Sequence, residues 1–431
     1  MPDPSRGTAL PPRTEPSGPA SSDQASRRQV FLFLQGPITP FFAMIADALD
    51  RRGHRSIRVN LCFGDRLFWR RPGAINFTGT REQWPAFVAD LIDREGVTDV
   101  VLLGEQRFYH KVAITAAKAR GAVVTVTDFG YLRPDWVTLE QDGMSGDSSF
   151  PRDPDAIMAL GERSPEPDLA GRFTDSFLTQ AVWDIAYHLS SSILAFTHPG
   201  YRSHQVHHPA LVYLGTGLHL LRARRGGRIA DAAIEATRAA GTPYWILPLQ
   251  MENDFQLRAY SPFPDMKTPI HAVIRSFTMH APAHAQLFVK IHPLDPGLRN
   301  WRRIVRRSAE RWGAGSRVVF IDGGQLHRLL EGSRGVVTVN STVGLWALRA
   351  GLPTITLGTA IYDIEGLTFQ GSIDRFWGEG RPPRQDLLAA FIRAIAAEIQ
   401  IRGVYYRQEG LKAAVAAAAD RLDRSGPRTH G

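Results

Sequence analysis

An acidic residue, an aromatic residue and a glycine stand together in this sequence, directly after a run of β-branched residues. The run, Val123 to Thr127, predicts a buried strand, and Asp128, Phe129 and Gly130 follow it at once. Ligands of open α/β sheets bind beyond the carboxyl ends of strands, so Asp128 lies where a catalytic carboxylate would act. The alternative is that Asp128 only caps the next turn. The following stretch, Tyr131 to Ser149, is polar and aromatic without helical periodicity, which predicts a loop that carries a site.

Polar side chains also follow other strands that the sequence predicts upstream. Gln35 and Gly36 come after Val30–Leu34, and Glu105 comes after the third predicted strand. Parallel strands end at one edge of a sheet, so we expect these residues to lie near Asp128. For Gly36, an ordinary strand-to-helix turn is the alternative. The predicted catalytic acids are Asp128 and Glu105, and the predicted substrate-binding residues in this half are Gln35, Gly36, Arg107, His110, Gly130, Tyr131 and Arg133.

The second half of the chain places polar residues after strands in the same way. His292 follows one predicted strand, and Ser341 opens a helix after another. Backbone N–H groups at a helix start bind anions, and a histidine can donate to a phosphate or protonate a leaving phosphate. The alternatives are a histidine bonded to a backbone carbonyl and a serine that only caps its helix. The predicted nucleotide-binding residues are His292, Pro293, Asn340, Ser341 and Thr342, and Gln250 and Asp254 are predicted to bind substrate.

The bulk composition bounds the class of protein. The chain has 431 residues, of which 43% are hydrophobic, and this predicts two or three domains with substantial cores. No apolar run approaches the roughly 20 residues that span a bilayer, and the N-terminus lacks the core of a signal peptide. The single cysteine, Cys62, excludes an intramolecular disulfide. These features predict a cytoplasmic protein.

Basic residues exceed acidic ones, with 51 Lys and Arg against 42 Asp and Glu and a pI near 9.9. This balance favours an anionic partner, such as a nucleotide or a phospholipid surface. The excess is too small and too dispersed to indicate nucleic acid. Two groups of arginines are candidates for contact with an anionic membrane surface: Arg222, Arg224, Arg225 and Arg228, and Arg302, Arg303, Arg306 and Arg307.

One histidine-rich stretch invites comparison with metal sites. Its polar residues are His198, Tyr201, Arg202, His204, His207 and His208. No cysteine joins them and the sequence has no HExxH frame, so we predict no metal there. The stretch is expected to line a cleft or the surface instead.

The alternation of strands and helices predicts an α/β protein. Strand, glycine turn and helix open the chain from Val30, and a second regular alternation runs from Tyr244. Two Rossmann-like domains that face a cleft describe the GT-B-like architecture. The predicted divisions are a disordered tail at 1–29, an acceptor and catalytic domain at 30–200, a nucleotide-sugar domain at 201–384, and C-terminal helices at 385–431.

Seven segments, in order, carry a resemblance to a known family. They are FLQGPITPFF (33–42), GDRLFW (64–69), LLGEQRFYHKVAI (102–114), DFGYLRPDWVTLE (128–140), LPLQMENDFQLRAYSPF (247–263), KIHP (290–293) and VNSTVGLWALRAGLPTITLGTAIYDIEGLTFQG (339–371). The chain resembles the capsule polysaccharide biosynthesis proteins of the KpsS/LipB type. The resemblance implies a retaining β-Kdo transferase that takes CMP-Kdo as donor, without a further cofactor. It implies a phosphatidylglycerol-type lipid acceptor at the inner face of the bacterial inner membrane, beside other capsule assembly proteins.

The resemblance also implies roles for single residues. The family is similar in layout to bacterial sialyltransferases, which pair an acidic D/E-D/E-G motif with HP and Ser/Thr motifs. In this chain Asp128 and Gly130 match the acidic motif, His292 and Pro293 match HP, and Ser341 and Thr342 match the CMP-phosphate motif. Phe129 departs from the pattern, because it stands where the family has a second acid. The nearby acids that could substitute for it are Glu105, Asp135 and Glu140.

Two other functions stay open at this point. A CDP-glycerol glycerophosphotransferase like those of teichoic-acid synthesis resembles the HP and serine-rich layout, but the QGP and GYLRP segments do not support it. A non-catalytic export component that only binds polymer or lipid is the other alternative, and Phe129 is its best argument.

Overall fold

The computed structural model describes residues 28–203, 205, 209–252 and 254–424, with the backbone alone at 220 and 222–225. The predicted disordered tail lies outside this range except for its last two residues. One of them, Gln29, is anchored to the first domain. Its backbone N–H donates to Nδ1 of His54 at 3.2 Å, and its side chain donates to Asp99 at 3.1 Å. Gln29 therefore belongs to the folded domain rather than to the tail.

The strands of the described residues alternate with helices, as the sequence predicts. The strands are β1 (Val30–Phe33), β2 (Arg55–Asn60), β3 (Ile75–Asn76), β4 (Asp99–Leu103), β5 (Val123–Phe129), β6 (Trp136–Gln141), β7 (Tyr244–Pro248), β8 (Gln286–Lys290), β9 (Val318–Ile321), β10 (Gly335–Thr338), β11 (Thr354–Thr356) and β12 (Gln400–Arg402). The helices are α1 (Phe41–Asp50), α2 (Phe63–Leu67), α3 (Trp84–Glu95), α4 (Phe108–Lys118), α5 (Pro154–Arg163), α6 (Phe177–Ile193), α7 (Pro209–Ala239), α8 (Phe255–Ala259), α9 (Lys267–His280), α10 (Trp301–Arg311), α11 (Leu326–Leu330), α12 (Val343–Arg349), α13 (Ile373–Glu379), α14 (Gln385–Glu398) and α15 (Gln408–Arg424).

The first domain is built on a sheet in the order β12-β6-β5-β4-β1-β2-β3. Strands β1 to β5 run parallel, whereas β6 is antiparallel to β5 and β12 is antiparallel to β6. The loop predicted from Tyr131 to Ser149 is therefore partly wrong, because it contains β6, in which Thr138 lies opposite Asp128. Thr138 and Glu140 are polar but buried, so β6 lacks the apolar pattern by which a strand is recognised.

The second domain is built on a parallel sheet in the order β11-β10-β7-β8-β9. Apolar side chains cover both of its faces. One core includes Leu247, Phe277 and Leu287, and the other includes Ile246 and Phe288. Burial on both faces explains why these strands are continuous apolar runs in the sequence. The two Rossmann-like sheets give the chain the GT-B-like architecture that the sequence predicts.

The end of the described chain returns to the first domain. Helix α14 packs on α5, β12 joins the first sheet, and α15 packs on α1. His54 binds Asp423 at 2.8 Å, which fixes α15 to the loop before β2. Residues 385–424 thus pack as part of the first domain rather than as a separate helical segment.

Helices α6 and α7 bridge the two domains. In α6, Tyr187 packs on the first domain and its hydroxyl donates to Asp65 at 3.1 Å. In α7, Ala230 and Ile234 enter the core of the second domain. No helix in the described ranges combines the length and the apolar character needed to cross a membrane.

Candidate active site

Asp128 lies near the end of β5, at the edge of the first sheet that faces the second domain. Its carboxylate accepts the N–H of Phe129 at 2.7 Å, and its carbonyl oxygen accepts the hydroxyl of Tyr405 at 3.1 Å. Burial raises the pKa of Asp128, while the Phe129 N–H and the positive charges of Arg107 and Arg133 lower it. The carboxylate is thus held in a poorly solvated site beside two guanidinium groups.

Arg133 connects the two domains electrostatically. Burial lowers the pKa of its guanidinium, and the negative charges of Asp128 and Asp254 oppose this shift. Asp254 belongs to the second domain, where it caps α8 by accepting the N–H of Gln256 at 2.9 Å. Burial is the main cause that raises the pKa of Asp254, and the charge of Asp128 raises it further. The charges of both carboxylates therefore act on one arginine.

Glu105 is buried just after β4 and meets the second domain directly. The hydroxyl of Tyr260 donates a short hydrogen bond to its carboxylate and lies 2.9 Å from Asp147. Gln106 donates to the same hydroxyl at 2.6 Å. Desolvation raises the pKa of Glu105 to about 7, the Tyr260 bond opposes this, and the charges of Asp147 and Asp128 add to it. Glu105 therefore titrates near neutral pH, as suits an acid or base catalyst.

Tyr260 is a residue of the candidate site that the sequence does not predict. It follows α8 rather than a strand, so the rule that located the other residues does not find it. It does lie within the segment LPLQMENDFQLRAYSPF that carries the family resemblance. That segment is the signal that could have identified it.

His292 follows β8, and its ring is uncharged at neutral pH. Burial lowers its pKa to about 4, and the charges of Arg133, Lys290 and His219 contribute. Its Nδ1 accepts the N–H of Leu294 at 3.1 Å, so the neutral ring carries its proton on Nε2. The histidine is fixed by a backbone N–H rather than by a carbonyl. Among the predicted roles, this protonation favours a hydrogen-bond donor over an acid.

Asn340 and Gln250 bind each other at the strand ends of the second sheet. Gln250 donates to the Asn340 side chain at 2.9 Å and accepts the Asn340 N–H at 3.2 Å. Asn340 also donates to the carbonyl oxygens of Gln256 at 2.7 Å and Tyr260 at 3.2 Å. This buried pair therefore holds the loop that carries Asp254 and Tyr260.

Ser341 acts as a cap. Its hydroxyl accepts the N–H of Val343 at 3.2 Å at the start of α12, and its carbonyl oxygen accepts a short bond from Tyr362. Thr342 is half-buried and its side chain makes no cap bond. Pro293 is exposed beside His292. These residues line the second sheet's edge of the cleft, although Ser341 already has a structural partner.

Several predicted substrate-binding residues lie in the wall of the site rather than in the cleft. Gln35 is buried and donates to the Tyr187 hydroxyl at 3.0 Å. The Nδ1 of His110 lies 2.8 Å from the carbonyl oxygen of Gly104, and burial, together with the charge of Arg107, lowers its pKa to about 3. A Cβ at Gly36 would lie 2.5 Å from the ring of Phe42. These residues support the sheet edge by packing and hydrogen bonding.

The other predicted residues near Asp128 divide into two groups, those that pack in the core and those that face the cleft. A Cβ on Gly130 would lie 2.2 Å from the carbonyl oxygen of Trp136, so close strand pairing requires glycine there. The Tyr131 hydroxyl lies 3.1 Å from that of Ser145 in the core. Arg107 is half-buried at the start of α4, and its charge acts on Asp128. Arg107 and Arg133 are thus the predicted residues of this group that act on the acid.

Phe129 fills the position of the family's second acid with an aromatic contact. Its ring lies 5.4 Å from that of Tyr405, and the Arg133 guanidinium lies 5.4 Å from its centre. Asp135 has a structural role instead, because its carboxylate accepts the N–H of Arg172 at 2.7 Å. Glu140 accepts a short bond from Ser148. Of the substitutes that the sequence offered, Glu105 is the acid whose charge couples directly to Asp128.

The histidine-rich stretch packs on the first domain where it is described. The Nδ1 of His198 lies 2.7 Å from the Thr197 hydroxyl, and the Tyr201 ring stacks on Tyr109 at 5.7 Å. Its other histidines, His204, His207 and His208, lie outside the described residues. Within the part of the chain that the structure describes, no group of three His, Cys, Asp or Glu is arranged to hold a metal ion.

Comparison with known proteins places the chain among capsule proteins. The model of the capsule polysaccharide biosynthesis protein family matches residues 98–406 of this chain. The capsule polysaccharide export protein KpsS of Escherichia coli is 30% identical over 384 residues, which are 87% of this chain and 96% of KpsS. The capsule polysaccharide modification protein LipB of Neisseria meningitidis serogroup A is 31% identical over 388 residues, 88% of this chain and 91% of LipB.

Two solved structures also align with the chain. The KpsC beta Kdo 2,7 transferase of Thermosulfurimonas dismutans aligns with 92% of this chain and 100% of its own, at 13% identity and a TM-score of 0.44. The glycosyltransferase SnogD of Streptomyces nogalater aligns with 91% and 98%, at 12% identity and a TM-score of 0.28. The sequence matches establish the relationship, and the chain belongs to the capsule polysaccharide biosynthesis protein family.

Proposed function

We propose that the protein is a glycosyltransferase of capsule assembly that moves Kdo from CMP-Kdo to a phosphatidylglycerol-type lipid or to a growing Kdo linker. Membership of the capsule polysaccharide biosynthesis protein family supports the role in capsule assembly. The observation that carries the activity is the meeting of Asp128 and Glu105, two acids of raised pKa, in one cleft with His292 and Tyr260 of the other domain.

The cleft offers charge that suits an anionic donor. Both a CMP phosphate and the carboxylate of a sugar acid carry negative charge, and Arg107 and Arg133 lie beside Asp128. We assign Arg133 to the donor because its charge acts on Asp128 of the first domain and on Asp254 of the second. His292 donates its Nε2 proton to a phosphate oxygen, and Thr342, whose side chain makes no cap bond, lies at the neighbouring strand end.

The two acids take different parts of the transfer. Glu105, with a pKa of about 7, receives the proton of the attacking acceptor hydroxyl. The acceptor oxygen attacks the anomeric carbon of Kdo on the face from which CMP departs, so the configuration is retained. The bond from that carbon to the phosphate breaks, and CMP leaves with the electron pair. Asp128 stabilises the positive charge that develops on the sugar in the transition state. Phe129 is compatible with this scheme because Glu105 supplies the second acid.

The decisive experiment combines purified protein with CMP-Kdo and a fluorescent glycerol lipid, and reads the product by mass. We expect one added Kdo and an equal amount of released CMP. Thermal shift with CMP, CDP-glycerol and GDP tests the nucleotide separately, since a ligand that binds the folded state raises its melting temperature. Stabilisation by CDP-glycerol without CMP would support a glycerophosphotransferase. Folded protein that binds no nucleotide would support a non-catalytic export component.

We further propose that the protein works at the inner face of the inner membrane, together with other capsule assembly proteins. A lipid acceptor requires contact with a bilayer surface. Cell fractionation with and without high salt tests this placement, because peripheral proteins held by charge are released as the Debye length falls from about 10 Å to about 3 Å.

A further inference from the structure

A groove runs along the surface of the second domain between α7 and α10. Its volume is about 520 Å³. One wall is formed by Leu211, Leu214 and Leu218 of α7, and the other includes Trp301 and Arg302 of α10. We call it the α7–α10 groove. It lies outside the cleft described above.

The α7–α10 groove, about 520 Å³ in volume, is apolar and open on its α7 side. Leu214 is 63% exposed, and Leu211 and Leu218 are also exposed. Together with Leu221, which is 81% exposed, they recur at the spacing of one helix face. Nothing in the described chain covers this stripe, and a contiguous apolar stripe of this kind marks an interaction surface.

Helix α10 brings positive charge to the same groove. Its inner face is buried through Trp301 and Val305, and its outer face exposes arginines. Arg302 lines the groove, with its guanidinium 5.3 Å from the centre of the Phe320 ring. Arg303 is exposed on the next position, and Arg306 lies 3.5 Å from Glu310. The outer face of α10 also exposes Arg307, so its charge is strongly positive.

We infer that the α7–α10 groove docks on an anionic phospholipid bilayer. The leucines of α7 enter the boundary between headgroups and acyl chains, and the arginines of α10 pair with headgroup phosphates. An exposed apolar stripe beside a row of cations matches that boundary in both chemistry and charge. A second copy related by a two-fold axis through the groove would instead bring two sets of arginines together.

The inner end of the groove leads to the proposed active site. Ile291 and His219 line the groove, and His292 follows Ile291 directly. The charge of His219 also contributes to the lowered pKa of His292. A lipid headgroup held at this surface is therefore near the cleft. The inference deepens the proposed function and rests on its lipid acceptor, but vesicle binding can be measured without any transfer.

The test measures sedimentation of the full chain with phosphatidylglycerol-containing vesicles and with vesicles of phosphatidylcholine alone, without nucleotide. We expect binding to the anionic vesicles that weakens as salt rises from 0.1 to 1 M, because the Debye length falls from about 10 Å to about 3 Å. Leu214→Ser with Leu218→Ser should weaken binding about tenfold. Arg302→Glu with Arg306→Glu should weaken it at least as much.

The matched control is Leu178→Ser on α6, since Leu178 is 74% exposed but lies on a different helix from the groove. This variant should bind vesicles like the unchanged protein. Equal loss in Leu178→Ser would overturn the inference, because adhesion would then be general. Full binding by the leucine variant, with loss in the arginine variant, would also overturn it and indicate a polyanion site.

Two further readouts separate this inference from the proposed function. Stabilisation by CMP in solution should be the same in all variants, because none of the substituted residues belongs to the cleft. If the unchanged protein bound CMP but not the vesicles, the docking inference would be wrong and the proposed function would stand. If the unchanged protein did not bind CMP, the proposed function would be wrong instead. A dimer that the leucine variant converts to monomer would identify a second copy as the occupant and overturn the inference.

Discussion

Tyr260 and Glu105 belong to different domains, and the tyrosine hydroxyl donates a short hydrogen bond to the buried carboxylate. This bond lowers the pKa of Glu105, opposing the desolvation that raises it to about 7. The protonation state of an acid on the first sheet therefore depends on how the second domain is seated.

Tyr260→Phe should raise the pKa of Glu105. A hydrogen bond to a charged group is worth about 1.5–3 kcal/mol, which corresponds to about one to two pKa units. If Glu105 is the base that receives the acceptor proton, the acidic limb of the profile of kcat/KM against pH should move upward by this amount. Tyr213→Phe, which removes a hydroxyl bonded to Asp184 on the α6–α7 pair, is the control and should leave the limb in place.

His292→Ala should weaken CMP binding without unfolding the protein. Loss of a hydrogen bond to a charged phosphate costs about 1.5–3 kcal/mol, so the Kd should rise roughly 10- to 100-fold by calorimetry. His271→Ala removes another half-buried histidine of the second domain, one bonded to Ser308 at 2.8 Å, and should leave the Kd unchanged. An unaltered Kd in folded His292→Ala protein would remove this residue from the nucleotide site.

Glu140→Gln should stabilise the protein at pH 8. Burial raises the pKa of Glu140 from 4.5 to about 8, so the folded state holds a proton that the unfolded state releases above about pH 4.5. Its contribution to stability is therefore largest at low pH and declines as pH rises to about 8. The neutral amide removes this decline.

Urea unfolding of the two proteins at pH 5 and pH 8 measures the effect of Glu140→Gln. The free energy of unfolding of the variant should exceed that of the unchanged protein by about 1–3 kcal/mol at pH 8, and by less at pH 5. A difference that does not change with pH would show that Glu140 does not titrate in this range.

Much of the site follows from one rule about strand ends. Asp128, Glu105 and His292 are predicted because each follows an apolar run, and the structure has each of them at the carboxyl end of its strand. Tyr260 and β12 depend on contacts between distant parts of the chain, which periodicity does not record. The same holds for the protonation of His292, because Arg133, from the other domain, contributes to lowering its pKa.

Buried polar residues are the other feature whose position in the fold the sequence pattern does not reveal. Thr138 and Glu140 make β6 resemble a loop in the sequence, and the neighbour of Thr138 on β12, Gln400, lies 262 positions away in the chain. Gln35 and His110 look like ligand contacts in the sequence, yet their partners are Tyr187 and Gly104. A polar residue after a strand can serve the site or the wall behind it, and only the tertiary contacts separate the two.

In the proposed function, Asp128 acts on the transition state of sugar transfer. The most direct measurement compares turnover of CMP-Kdo on a glycerol lipid with CMP affinity, for the unchanged protein and Asp128→Asn. We predict that turnover falls about 10²- to 10⁴-fold while the Kd for CMP changes by less than about threefold. Undiminished turnover in Asp128→Asn would show that the Asp128 carboxylate does not act on the transition state.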